Sequence, residues 1–181
     1  MRVAASQFPV ASALVQLHSE LDSDALLKRV KKLEDPISFL HEDVPAVSRI
    51  IYEKLKSQNS INLSFEDEFY TKYSRSLAAL ASKGYVKSKH CLGSHLPFGV
   101  AVIDHSYTMY LCALFEDAEK MEYLIARVDQ CEIGEWLDGN QIFQELQLPL
   151  PVVRACFGIY ESKGYGLCSR EIGRVSYCGN A

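Results

Sequence analysis

Apolar residues return along this chain at helical spacing in several stretches, each followed by a short run of alternating or β-rich sequence. From Val44 to Gln58, VPAVSRIIYEKLKSQ sets Val47, Ile50, Ile51 and Leu55 on one stripe, the recurrence of a half-buried helix. SINLS then alternates as one brief strand. FEDEFYTKYSRSLAALASKGY follows, with Tyr73, Leu77 and Leu80 on a helical stripe, and it stops at Gly84, where a helix end favours a residue able to take positive φ. YVKSKHCLGSHLPFGVAVID reads as a hairpin, two β-rich runs around a loop holding Gly93, Pro97 and Gly99.

The pattern then repeats. EKMEYLIARVDQ is a helix, EIGEWL a short strand, and Asp138 an N-cap for GNQIFQELQ, with Ile142, Phe143 and Leu146 facing inward. After a turn at Gln147 and Leu148, PLPVVRACFGIYESKGYG opens with prolines, which a helix tolerates in its first turn. It carries Val153, Cys156, Phe157 and Tyr160 at i, i+3, i+4 and i+7, and stops at Gly164. LCSREIGRVSYC closes the chain as two strand-like runs around Glu171, Ile172 and Gly173. The tetrapeptide SKGY ends the last helix of both copies, at 82–85 and 162–165. Ahead of the repeat, residues 1–42 hold two amphipathic stretches, 9–19 and 23–33, the second opened by Ser23 and closed by Pro36.

Helix, short strand, helix, turn, helix, hairpin is the order of a winged helix-turn-helix, and here it occurs twice. DGNQIFQELQLPLPVVRACFGIYESKGYG resembles the core of winged-helix regulators through Asp138, Leu146, Leu148, Val153, Tyr160 and Gly164. The resemblance is close over about thirty residues, loose over 105–181, and reaches a superfamily rather than one family. The first copy departs from it: SFEDEFYTKYSRS is too short for two full helices and a turn, so its second helix is truncated or fused with the third. The expected architecture is mainly α with small β-hairpins (α+β). It comprises an N-terminal helical extension (1–42) and two tandem winged-helix domains (43–104 and 105–181).

Net charge narrows the uses. The chain carries −4 overall, against a protein that coats nucleic acid through a broad Lys/Arg surface. Only 44–104 is net positive, with 8 basic and 5 acidic residues, whereas 105–181 has 6 and 11. The six cysteines lack a CxxC pair, which reads as reduced thiols in the cytoplasm, or in the nucleus of a eukaryote. Gln7, Pro9, Ser12 and Gln16 interrupt the first apolar run, so neither a signal peptide nor a membrane insertion is expected.

Candidate chemistry concentrates in the first copy. Lys72, Arg75, Lys83, Lys87, Lys89 and His90, with His95, bring positive charge to its last helix and hairpin, and such side chains suit phosphate contacts that position a duplex without reading its sequence. In the second copy the outward face of the last helix carries Pro151, Ala155, Gly158 and Ser162, flanked by Arg154. That small, nearly uncharged face is suited to packing as an interface; Arg154, Arg170 and Arg174 are its only candidates for phosphate. HCLGSH groups His90, Cys91 and His95, but a tetrahedral zinc site needs a fourth ligand and none is apparent. Walker A, GxGxxG, HExxH and GxSxG motifs are missing, so no catalytic residue, cofactor or metal is assigned and an enzyme is not expected. Two functions compete. One is a DNA-binding transcription regulator that contacts duplex through 64–104 and uses its second domain for a protein partner or homo-oligomer. The other is an assembly subunit, similar in layout to the tandem winged-helix subunits of membrane-sorting and chromosome-organising complexes, with both third helices on protein.

Overall fold

The computed structural model describes residues 40–115, 118–169, 171 and 174–179; the amphipathic stretches expected at 9–19 and 23–33 lie outside them. The architecture mixes helices with two small antiparallel sheets. In chain order it runs α1 (Val44–Gln58), β1 (Asn62–Leu63), α2 (Asp67–Lys72), α3 (Ser74–Ser82), β2 (Val86–Lys89) and β3 (Gly99–Val102). It continues with α4 (His105–Phe115), α5 (Ala118–Asp129), β4 (Trp136–Asp138), α6 (Gly139–Leu146), α7 (Leu150–Ser162), β5 (Gly166–Cys168) and β6 (Ser176–Gly179). The sheets are ordered β1-β3-β2 and β4-β6-β5, so in each the last strand inserts between the other two.

The punctuation of both halves follows local rules. Buried Val47, Ile51 and Leu55 give α1 its apolar stripe, and the helix ends at Asn59, which turns left-handed at φ 47°. Asp138 caps α6, accepting from the Asn140 amide at 2.8 Å. α2 and α3 are separated by Tyr73 alone, so the first copy's short second helix is both truncated and almost fused with the third.

The two SKGY segments are one device used twice. In the first, Gly84 sits at φ 76°, its amide donates to Ala81 O at 2.9 Å and the Tyr85 amide to Leu80 O at 3.1 Å. In the second, Gly164 sits at φ 77°, its amide donates to Glu161 O at 2.9 Å and the Tyr165 amide to Tyr160 O at 3.1 Å. These paired bonds close a helix with a left-handed glycine one residue beyond its cap, satisfying carbonyls that the last turn leaves unpaired. Each turn aims the chain into its hairpin.

One helix has no counterpart in the sequence reading. α4 buries Tyr107, Thr108, Met109, Leu111 and Cys112, on more than one side, because it lies between the halves, packed on α1 and on α7. Asp104 opens it, accepting from the Tyr107 amide at 2.6 Å. Tyr107 fastens it to the first half: its hydroxyl shares a buried 2.9 Å hydrogen bond with Ser48, and its ring stacks on Tyr85 at 4.7 Å. A second tie joins the ends of two helices, the Leu150 amide of α7 donating to Asn59 Oδ1 at 2.7 Å. The buried residues of both halves form one continuous core. No helix among the described residues is long and apolar enough to cross a membrane.

Candidate nucleic-acid interface

The first half leaves the outer face of α3 open. Leu77 and Leu80 point into the core, while Ser74, Arg75, Ala78, Ala81 and Ser82 are exposed, followed by exposed Lys83 in the glycine turn. Small side chains around one guanidinium let the helix approach a partner closely. The hairpin continues the positive charge. Lys87 pairs with Ala101 and Lys89 with Gly99, so both lysines stand on the same face of the sheet, the one opposite buried Val86 and Val100. Lys89 is held down by donating through Nζ to Asn62 Oδ1 across the sheet, while Lys87 is exposed. His90 and His95 are exposed in the loop between the strands.

Lys72 is set apart from this group. It ends α2, where its ammonium sits over the Tyr73 ring at 5.0 Å and contact with Tyr73 raises its pKa. Glu66, Asp67 and Glu68 lie at the opposite end of the same short helix, so its charges are segregated in the sense the helix dipole favours.

In the second half the equivalent face is covered. Pro151, Ala155 and Gly158 are buried, with only Ser162 and Arg154 exposed. The covering element is α4. A Cβ added at Gly158 would lie 2.5 Å from His105 Nε2 and 2.6 Å from its Cδ2, so the imidazole rests directly on the glycine. The small residues expected to make an interface do pack, but against a helix of their own chain. Arg174 is paired with Glu171 at 3.1 Å, and Arg170 lies outside the described residues, leaving Arg154 as the exposed cation on α7. Beside it an open cavity of about 370 Å³ lies between α7, the β5–β6 hairpin and His105, lined by Gly158 and by Ser176, whose buried hydroxyl has no hydrogen-bond partner among the described residues.

His90, Cys91 and His95 do not come together as ligands. Among the described residues one group of three potential metal ligands is present, His41, Glu42 and Asp43, and His41 Nδ1 is there already engaged, with the Ser76 hydroxyl at 3.1 Å and the Asp43 amide at 3.3 Å.

Sequence reasoning missed the outer face of the second sheet. Trp136 and Leu167 both pair with Cys178, so the three form a row across it, opposite buried Leu137 and Tyr177. Trp136 is 56% exposed, Leu167 55% and neighbouring Ile133 74%. The signal was present in EWL: two large apolar residues adjacent on a strand face opposite ways, so one of them must point outward.

No protein-family model, curated protein or solved structure matches this chain.

Proposed function

We propose that this chain is a non-enzymatic regulator built from two winged-helix units, and that it binds duplex DNA through the first of them. One observation carries the reading: α3 has an open outer face bearing Arg75, next in the chain to the exposed cations Lys83 and Lys87, whereas its counterpart α7 is closed off by α4. α3 approaches the groove with its small residues, and Arg75, Lys83, Lys87, Lys89 and His90 contact phosphates, with Lys72 at the margin. These are contacts of position rather than of sequence, because the exposed face offers a single guanidinium and no amide side chain for base edges. The working compartment is the cytoplasm, or the nucleus in a eukaryote.

Salt-titrated binding to short duplexes tests this. Arg75→Ala and Lys87→Ala should weaken binding to unrelated sequences equally, and each should flatten the dependence of log affinity on log salt by about one unit, the share of one neutralised phosphate. Unchanged affinity and slope in both variants would remove the first half as the DNA-binding surface. A second reading, an assembly subunit, is favoured by the exposed Trp136 and Leu167 row; it gains if the wild-type chain binds no duplex at low salt.

A further inference from the structure

The open cavity of about 370 Å³ in the second half has the volume of a small-molecule site, and the charges on its walls are not all neutralised within the chain. Its two carboxylates are engaged. Glu161 Oε1 accepts from the Cys168 amide at 2.9 Å, and Glu171 Oε2 accepts from the Arg174 guanidinium at 3.1 Å. Arg154 and His105 also line the cavity, and neither has a hydrogen bond or ion pair among the described residues.

These two groups converge. The His105 ring rests on Gly158, and Arg154 precedes that glycine by four residues on α7, so both stand on one side of the helix about a turn apart. An oxyanion between them would accept from the guanidinium fork on one side and from a ring N–H on the other. Glu161 lies the other way along α7, three residues beyond Gly158, while Glu171 and Arg174 come from the hairpin across the cleft. Buried Phe157 and Val175, with the bare backbone of Gly158, supply apolar wall.

We propose that this cavity binds a small organic monoanion, a carboxylate carried on a compact apolar body, with its head between Arg154 and His105. One unpaired guanidinium balances one negative charge, and the wall carboxylates make a dianion such as a phosphate monoester the poorer fit. A cation fits less well too. Each carboxylate already has a donor, whereas Arg154 has no acceptor among the described residues. The site lies outside the duplex-binding reading and does not depend on it.

Benzoate is the probe, with benzamide as its uncharged counterpart, benzylamine as a cationic one, and acetate as the head without the body. NMR titration of the full-length, ¹⁵N-labelled chain should give saturable shifts of the Arg154 side-chain and His105 ring signals with benzoate. The other three should bind at least about tenfold more weakly. Arg154→Ala, at an exposed position, should weaken benzoate at least about tenfold while leaving the fold intact. Glu171→Gln releases Arg174 and should tighten benzoate about two- to fivefold, a gain that misfolding does not produce. Four results would overturn the proposal: no saturable shift at Arg154 and His105, any of the other three probes bound as tightly as benzoate, benzoate affinity indifferent to Arg154→Ala, or benzoate affinity not raised by Glu171→Gln.

Discussion

Position for position, eighty residues apart, the two halves place different chemistry on one plan. Arg75 on α3 is exposed where Ala155 on α7 is 1% exposed, and exposed Ala78 corresponds to buried Gly158. On the sheets, Lys87 corresponds to Leu167, and both pair with the central strand at equivalent points. The helix ends are the same to within a degree of φ and a tenth of an ångström. Beyond the shorter, nearly fused helices α2 and α3 of the first half, what separates the halves is the neighbour each third helix meets. α4 closes α7 and leaves α3 open: both faces are built of small residues, and at the position where α7 buries Ala155 the open face of α3 carries Arg75.

The strongest way to break this comparison is to put one charge at both corresponding positions. Gly158→Glu drives its side chain into the His105 ring that rests on the buried glycine, and should cost about 2 to 3 kcal/mol. Ala78→Glu stays in solvent and should change stability by less than about 0.5 kcal/mol. Urea unfolding of the two variants measures both. Equal costs would mean that α4 does not cover α7 in solution.

The next test uses the feature that the halves share. Apart from the adjoining residues, no atom among the described residues lies within 4 Å of where a Cβ would stand at Gly84 or Gly164, so the cost of Gly84→Val and Gly164→Val comes from their left-handed backbone. Each should lose about 1 to 2 kcal/mol, by similar amounts. A large loss in one with none in the other would break the equivalence of the two turns.

Tyr107 tests the connection between the halves. Tyr107→Phe removes the buried bond to Ser48 and should cost about 1 kcal/mol. Burial also raises the Tyr107 phenol above its ordinary range. The folded state then keeps a proton that the unfolded chain begins to release near about pH 10, so the stabilisation is complete below that pH and is lost as pH rises beyond it. Thermal melts taken into the alkaline range should show a shallower decline in Tyr107→Phe than in the wild type. Some decline should persist, because burial raises Tyr160 and Tyr177 in the same direction.

Local signals in the sequence reached the local features. Gly84, Gly164, Asp138, the stripe of α1 and both hairpins are set by a few adjacent residues, and each lies where its pattern put it. α4 was illegible for a physical reason: HSYTMYLCALF is apolar around most of its circumference, so it carries no amphipathic period, and it begins at the boundary drawn between the domains. Without α4 the fate of the small face on α7 could not be worked out, since its covering ring, His105, comes from outside the repeated motif. The cations of the first half were legible as charge. That Lys89 is tied to Asn62 and Lys72 lies over Tyr73, while Arg75 and Lys87 are exposed, depends on cross-strand register and on the joint between α2 and α3, and neither is written in residue types.

The smallest effect on stability, and the one that speaks most directly to use, comes from exchanging the corresponding sheet residues. Lys87 and Leu167 are both exposed on edge strands, so Lys87→Leu and Leu167→Lys should each stay within about 0.5 kcal/mol of the wild type in urea unfolding. Their consequences in solution should nevertheless separate. Lys87→Leu removes one proposed phosphate partner and should flatten the salt dependence of duplex binding by about one unit while leaving self-association as it was. Leu167→Lys interrupts the apolar row of Trp136, Cys178 and Leu167 and should weaken the self-association of the assembly reading while leaving duplex affinity unchanged. If either substitution moves both readouts, the halves are not functionally separate, and two ties can carry the coupling: α4, with Tyr107 set in the first half and His105 against the second, and the Asn59 contact with the Leu150 amide.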